Sequence, residues 1–390
     1  SHVYFGETYN SPLDHRRYLR LAKYIYDEEQ DILANPEILL EGIPVFDGYH
    51  VGGKLAVSPE GQLYLSIGDA KQPENPELHR YMSEDDLPLP QDLDSFSGKI
   101  LRINADGTVP VDNPFAAAPW DLSPRNLTYS YGHRNTQGLT FSDDGQLYYS
   151  EHGGRVEDEV GMVEKGSNHG WPYAEGKCNN QDYLFDETVF CDTATHTEPF
   201  HSWNPDIAPS SLAYLKEDVN GFISNALIVP SLTSEDHGLD LRVLMLNQTG
   251  NAVIQELTLA DKVFGRLRDV AVSPIGQIYF TTSNRMWGNP SADDDRIIRM
   301  DIEKLESVLS VRHTRETPYA ILGNGTHEVV VDIVASGNCS LIIHDLKGAL
   351  VFEKGLALGK LPIHLPNGTY VLRLNVDDQI YLDKLIITDR

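Results

Sequence analysis

The sequence predicts an all-β fold: a β-propeller over residues 1–312, followed by a small β-sandwich over residues 313–390. Three observations lead there. A phrase occurs three times, as Val57-Ser-Pro-Glu-Gly-Gln-Leu-Tyr-Leu-Ser, Phe141-Ser-Asp-Asp-Gly-Gln-Leu-Tyr-Tyr-Ser and Val272-Ser-Pro-Ile-Gly-Gln-Ile-Tyr-Phe-Thr. Each copy reads as a strand end, a glycine turn and a second strand of alternating apolar residues, which is a β-hairpin signal. The turn glycines Gly61, Gly145 and Gly276 are 84 and 131 residues apart, close to two and three units of about 42–44 residues, the length of a propeller blade. Finally, short strand-like runs separated by Gly, Asn, Asp and Pro clusters fill the chain.

Taken in order, the elements agree with that reading. Leu227-Ile-Val, Arg242-Val-Leu-Met-Leu and Arg296-Ile-Ile-Arg-Met are strands, and Ile302–Leu309 is a short helix candidate. A charged stretch from Arg312 to Thr317 ends the blade pattern. The runs from His327, Ser340, Leu350, Gly368 and Leu385 then alternate as the strands of a sandwich. Blades around an axis point their inner strand ends into one mouth. The polar groups Gly68-Asp69, Glu151-His152-Gly153-Gly154 and Ser283-Asn284-Arg285, each just past a copy of the repeat, are therefore expected to converge.

Composition narrows the function. A chain of 390 residues with 41% apolar content holds one large domain and a smaller one. A formal charge of −27 argues against nucleic acid or an anionic membrane as partner. No run of about 18 apolar residues exists to span a membrane. Cys178 and Cys191 bracket a polar loop and suit a local disulfide, which leaves Cys339 over. Sequons at Asn126, Asn247, Asn324, Asn338 and Asn367 favour a secreted or cell-surface location, extracellular or periplasmic.

Chemistry concentrates in three segments: His50-Val-Gly-Gly-Lys-Leu, Gly132-His-Arg-Asn-Thr-Gln-Gly-Leu with the following Ser150-Glu-His-Gly-Gly-Arg-Val-Glu-Asp-Glu, and Arg266-Leu-Arg-Asp-Val. Strand alternation puts Arg266 and Arg268 on one face. With Arg134 they form a fork for carboxylates or phosphates, or else a salt-bridged strand end.

These segments, with Ser97-Gly-Lys-Ile-Leu-Arg-Ile, Asp112-Asn-Pro-Phe, Gly170-Trp-Pro, Ile207-Ala-Pro-Ser, Thr282-Ser-Asn-Arg and Asp294-Asp-Arg-Ile in consistent order over residues 40–300, resemble the soluble PQQ-dependent aldose dehydrogenases, the glucose/sorbosone dehydrogenase family. The resemblance implies a six-bladed propeller whose first blade is missing from this chain: either the chain has been trimmed or cleaved, or a second chain or cleaved fragment supplies that blade. It implies an aldose substrate, pyrroloquinoline quinone (PQQ) and calcium as cofactors, and an external electron acceptor. His50 matches the family's general base, a role that suits an imidazole titrating near neutral pH. Arg134, Asn135, Arg266 and Arg268 match cofactor-binding positions, with Arg134 also at the catalytic centre. Gly153 and Gly154 match positions whose carbonyls bind calcium, and Asp158 an acid supporting that site. Trp203 and Asn204 are placed at the substrate mouth, with a core tryptophan as the competing reading of Trp203.

Two local departures stand out. No lysine follows Leu227-Ile-Val-Pro-Ser-Leu, where the family has a cofactor-binding one, and residue 154 is Gly rather than the usual Pro. The expected activity is oxidation of an aldose to its lactone; the alternative is a cofactor-free propeller of the same family acting as a surface recognition or structural glycoprotein. A calcium-dependent lactonase is disfavoured, since such sites need converging carboxylates rather than an arginine fork. The phrases around Leu346, Asn367 and Lys384 also resemble type IX secretion sorting domains, although a plain accessory sandwich fits them equally.

Overall fold

The computed structural model describes residues 1–45, 49–69, 89–118, 120–154, 156–178, 190–192, 196–218, 223–233, 238–287, 293–300, 319–322, 328–333, 339–345, 349–356, 359–376 and 379–387. The helix candidate at Ile302–Leu309, the junction at residues 312/313 and the sequons Asn324 and Asn338 lie outside them. These residues fall into two compact units, residues 1–213 with 229–239, and residues 214–228 with 240–390.

The first unit contains β1 (His2–Asn10), β2 (Arg17–Asp27) and β3 (Ile32–Pro44), then β4 (Gly52–Val57), β5 (Leu63–Ile67), β6 (Lys99–Ile103) and β7 (Thr128–Tyr131), then β8 (Thr136–Phe141), β9 (Leu147–Glu151), β10 (Asp158–Met162) and β11 (His201–Trp203). A fourth sheet holds β12 (Ala213–Glu217), β13 (Ser224–Pro230), β14 (Leu241–Leu246) and β15 (Val253–Leu259); a fifth holds β16 (Leu267–Val272), β17 (Ile278–Thr282) and β18 (Ile297–Met300). In all five sheets, spatial order follows chain order, the meander of a propeller blade.

The repeated phrase forms the same hairpin each time. Gly61, Gly145 and Gly276 adopt φ of 84°, 87° and 79°. Their N–H groups donate to the carbonyls of Ser58, Ser142 and Ser273 at 2.9, 3.0 and 2.9 Å. A positive φ there is what makes glycine the turn residue. The expected β4–β5, β8–β9 and β16–β17 hairpins are therefore present.

Within the first unit, the leading strands β1, β4 and β8 of three successive sheets run beside one another. β5 is buried on both faces. Leu63, Leu65 and Ile67 pack toward Leu19, Leu21 and Ile43, while Tyr64 packs toward Leu139, Leu147 and Tyr149. A fully buried side chain of this kind contributes about 1.5–3 kcal/mol, so the blades are fastened face to face and the loops at their ends are free to carry chemistry.

In the second unit, β19 (Tyr319–Leu322), β20 (Glu328–Ile333), β21 (Cys339–Asp345), β22 (Leu350–Leu356), β23 (Gly359–His364), β24 (Gly368–Val376) and β25 (Gln379–Ile387) form two sheets, ordered β19-β20-β23 and β22-β21-β24-β25. Cys339, Leu341 and Ile343 alternate inward on β21, and Tyr370, Leu372, Leu374 and Val376 on β24. This is the sandwich the alternating runs predict. Cys178 and Cys191 are bridged, with Cα atoms 6.2 Å apart, and Cys339 keeps its thiol in the sandwich core. The sequon asparagine Asn126 is only 3% exposed. Its Oδ1 accepts from Ala117 N at 2.9 Å and its Nδ2 donates to the Asp121 carbonyl at 2.9 Å, so this sequon faces inward. Asn367 is exposed.

Candidate active site

Hairpin register builds the centre. Gly52 of β4 pairs with Ile67 of β5; two residues further out on each side stand His50 and Asp69. His50 Nδ1–H donates to Asp69 Oδ1 at 2.8 Å, and the Asp69 side chain is 3% exposed against 19% for His50. Arg134 Nη2 donates to His50 Nε2 at 3.3 Å. These partners assign the tautomer: the proton sits on Nδ1, and the Nε2 lone pair accepts from Arg134. His50 holds this pose at a φ of 46°, a left-handed conformation that non-glycine residues adopt mostly at constrained sites. Its carbonyl fills the space where a Cβ on Gly68 would lie, so residue 68 must be glycine.

Arg134 is fixed from behind. Its backbone N–H donates to Glu151 Oε1 at 2.6 Å, while Thr136 Oγ1 and His133 Nδ1–H donate to Oε2 at 2.5 and 3.1 Å. Glu151 is 4% exposed; a buried carboxylate is tolerated because three donors satisfy it. His133 stacks on His169 with ring centroids 4.3 Å apart, and burial holds the His169 ring well below its ordinary pKa, with the His133 charge adding to the effect. Toward the site, Arg134 Nη1 donates to the His152 carbonyl at 3.1 Å. Its Nε is buried without a hydrogen-bond partner, so this guanidinium keeps a donor in reserve for an acceptor.

The Gly153–Asp158 loop adjoins. Asp158 Oδ1 accepts from Gly153 N at 2.9 Å, and Oδ2 accepts from Ile207 N and Ala208 N at 2.7 and 2.6 Å. Asp206 Oδ1 in turn accepts from Asp158 N at 3.1 Å. Burial raises the Asp158 carboxyl above the usual range. Asp206 is pushed up to about 6 by burial and then by the Asp158 charge. Asp158 thus spends both carboxylate oxygens bracing the loop through backbone N–H groups. Trp203 pairs with Asp158 across β10 and β11 and is 7% exposed; Asn204, next in sequence, is exposed.

Of the sequence-selected residues of the first unit, His50, Arg134, Asn135, Gly153 and Asp158 are linked. His50, Arg134 and the His152 carbonyl connect in series. Gly153 and Asp158 follow, and Asn135 O accepts from His152 N at 3.4 Å. Arg266 and Arg268 lie in the second unit. There a β-bulge between Leu267 and Asp269 interrupts the simple alternation, leaving Arg268 exposed and Arg266 half-buried. Burial, then the Arg268 charge, lowers the Arg266 pKa, as expected of paired cations. Sequence reasoning placed Glu151 only among the polar groups expected at the mouth, and gave Trp171 no individual role. Trp171 stood in plain view within Gly170-Trp-Pro, but its partners come from distant segments.

Residues 1–288 match the family described as Glucose / Sorbosone dehydrogenase. An uncharacterised protein of Synechocystis is 34% identical over 284 residues, which span 72% of this chain and 64% of the relative. Quinoprotein glucose dehydrogenase B of Acinetobacter calcoaceticus is 27% identical over 76% of this chain and 72% of its own length. The PQQ-bound aldose sugar dehydrogenase of Streptomyces coelicolor superposes with a TM-score of 0.54 at 30% identity, covering 75% of this chain and 79% of that one. The chain therefore spans about two thirds of the curated relatives it matches, and it belongs to the glucose/sorbosone dehydrogenase family.

Proposed function

We propose that the protein is a PQQ- and calcium-dependent dehydrogenase that oxidises an aldose to its lactone and passes the electrons to an external acceptor. The observation that supports this best is His50, its Nδ1–H on Asp69 and its Nε2 lone pair directed at a cationic neighbour. Oxidation at an anomeric carbon needs a base for the hydroxyl proton, and a neutral imidazole in a fixed tautomer supplies one. Once His50 takes that proton on Nε2, the Asp69 carboxylate 2.8 Å from Nδ1 stabilises the imidazolium. Bound PQQ supplies the two-electron acceptor for the hydride that leaves carbon.

Arg134, with its spare Nε donor, suits a carboxylate of PQQ, and the family resemblance alone proposes Arg266 and Arg268 as further cofactor-binding positions. Asn135 sits in the same loop as Arg134. The carbonyls of Gly153 and Gly154, braced by Asp158, would hold calcium as a Lewis acid. Trp203 and Asn204 are proposed at the substrate mouth. The Cys178–Cys191 disulfide and the exposed sequon at Asn367 support a location outside the cytoplasm. No helix among the described residues is long and apolar enough to cross a membrane.

Dye-coupled turnover over an aldose panel, with PQQ and calcium added, tests this reading. His50→Ala is expected to cost on the order of 10²–10⁴ in kcat, the usual contribution of a general base, with PQQ affinity nearly unchanged. Arg266→Ala is expected to weaken PQQ binding instead. Wild-type protein that neither binds PQQ nor reduces dye would favour the cofactor-free recognition role.

A further inference from the structure

One side chain touches three parts of the site at once. Trp171 is 6% exposed, and its Nε1–H donates to Asp69 Oδ2 at 3.0 Å, the oxygen that His50 does not use. Its ring lies beneath the Arg134 guanidinium, 5.4 Å from centroid to Cζ. Its far edge faces Gly154, where an added Cβ would sit 3.1 Å from the Trp171 Cη2 atom. The tryptophan backbone is itself tied down: Trp171 N donates to the Gly132 carbonyl at 2.9 Å, and Gln91 Nε2 donates to the Trp171 carbonyl at 2.7 Å. Gln91 and Asn168 then exchange a pair of side-chain bonds at 3.0 and 2.8 Å.

We propose that Trp171 is the positioning residue of this centre, pinning Asp69 so that His50 keeps its proton on Nδ1 while its ring carries the Arg134 guanidinium. The proposal rests on the dehydrogenase reading for its catalytic consequence, though not for its geometry. The Asp69 carboxylate accepts from His50 on Oδ1 and from Trp171 on Oδ2. Removing the indole N–H takes away the donor that fixes Oδ2, and the Nδ1–H tautomer of His50 loses the rigidity of its acceptor. The aromatic face acts separately, as a cation–π platform for Arg134.

The test separates the N–H from the ring. Trp171→Phe keeps a ring under Arg134 and deletes the donor; Trp171→Leu deletes both. In histidine-labelled protein without cofactor, the ¹⁵N shifts of His50, assigned with His50→Gln, are expected to report an Nδ1–H tautomer in the wild type and a mixture in Trp171→Phe. In the reciprocal arm, Asp69→Asn is expected to move the Trp171 indole N–H resonance while leaving the other three indoles in place. In turnover, Trp171→Phe is expected to lower kcat on the order of tenfold, the loss of one hydrogen bond to a charged group, with PQQ affinity within about twofold. Trp171→Leu is expected to weaken PQQ as well. An unchanged His50 tautomer in Trp171→Phe overturns the proposal. So does an unmoved Trp171 resonance in Asp69→Asn, which decides the matter if the tryptophan variants do not fold. Wild-type protein without sugar oxidation, combined with both spectral changes, would refute the dehydrogenase reading and leave the pin standing.

Discussion

Glu151→Gln probes how the chain holds Arg134 in place. Its carboxylate takes three donors, Arg134 N at 2.6 Å on one oxygen and Thr136 Oγ1 and His133 Nδ1 at 2.5 and 3.1 Å on the other. An amide of the same shape has one acceptor oxygen and one NH₂ group. Whichever way it turns, an N–H or O–H that had an acceptor meets another donor. Leaving a buried donor unmatched costs about 1–3 kcal/mol. One rotamer strands one donor and the other strands two; the cheaper one is populated, so a loss of about 1–3 kcal/mol is expected. The loop Gly132–Thr136 also loosens, which spreads the Arg134 side chain over more positions and weakens PQQ. Urea unfolding gives the first quantity through its midpoint at constant m, and a PQQ titration gives the second. Stability within about 0.5 kcal/mol of wild type, the range of an inconsequential surface change, together with unchanged PQQ affinity, would refute the idea that Glu151 sets the position of Arg134.

Three further outcomes are expected. His169 is buried and held neutral, with its pKa below that of the unfolded chain. Below about pH 6.5 the unfolded state therefore binds a proton that the folded state refuses. Stability falls as pH drops, by up to about 1.4 kcal/mol per unit, and urea midpoints between pH 7 and 5 are expected to flatten in His169→Gln. Gly154→Ala places a Cβ against Trp171 and Glu175, so calcium-dependent thermal stabilisation, read by scanning calorimetry with and without the ion, is expected to shrink. Expression in a glycosylating host is expected to leave Asn126 unmodified, since its amide is buried and bonded, while Asn367 is accessible; peptide mass spectrometry distinguishes the two.

The blades were readable because the signal that makes them is local. Ser58, Ser142 and Ser273 precede their glycines at the same spacing and make the same turn bonds. The strands that follow alternate for a reason set by two-sided burial, as Leu63 and Tyr64 show by facing different cores. The sandwich was readable through the same period-two pattern on β21 and β24. The His50–Asp69 pair was half-readable: both lie at polar strand ends, and the β4–β5 register alone sets them opposite each other. Glu151 and Trp171 were not. Glu151 sits among the acidic residues of a strongly acidic chain, and nothing local marks it as the carboxylate that turns inward to three donors. Trp171 reaches Asp69 across 102 residues, a contact that only the packing of successive blades creates. The alternation argument for Arg266 and Arg268 also met a β-bulge that no local residue pattern announced.

The most direct measurement of the central claim, that the His50–Asp69–Arg134 centre oxidises a sugar through PQQ, is a single-turnover titration. Protein saturated with calcium is titrated with PQQ to a stoichiometric end point, then given one equivalent of an aldose without any external acceptor, and absorbance of the bound cofactor is followed. The expected result is one PQQ per chain and a sugar-dependent spectral change that His50→Ala slows on the order of 10²–10⁴ without altering the PQQ end point. Stoichiometric binding with no spectral change for any aldose, or a change that is equally fast in His50→Ala, would contradict it.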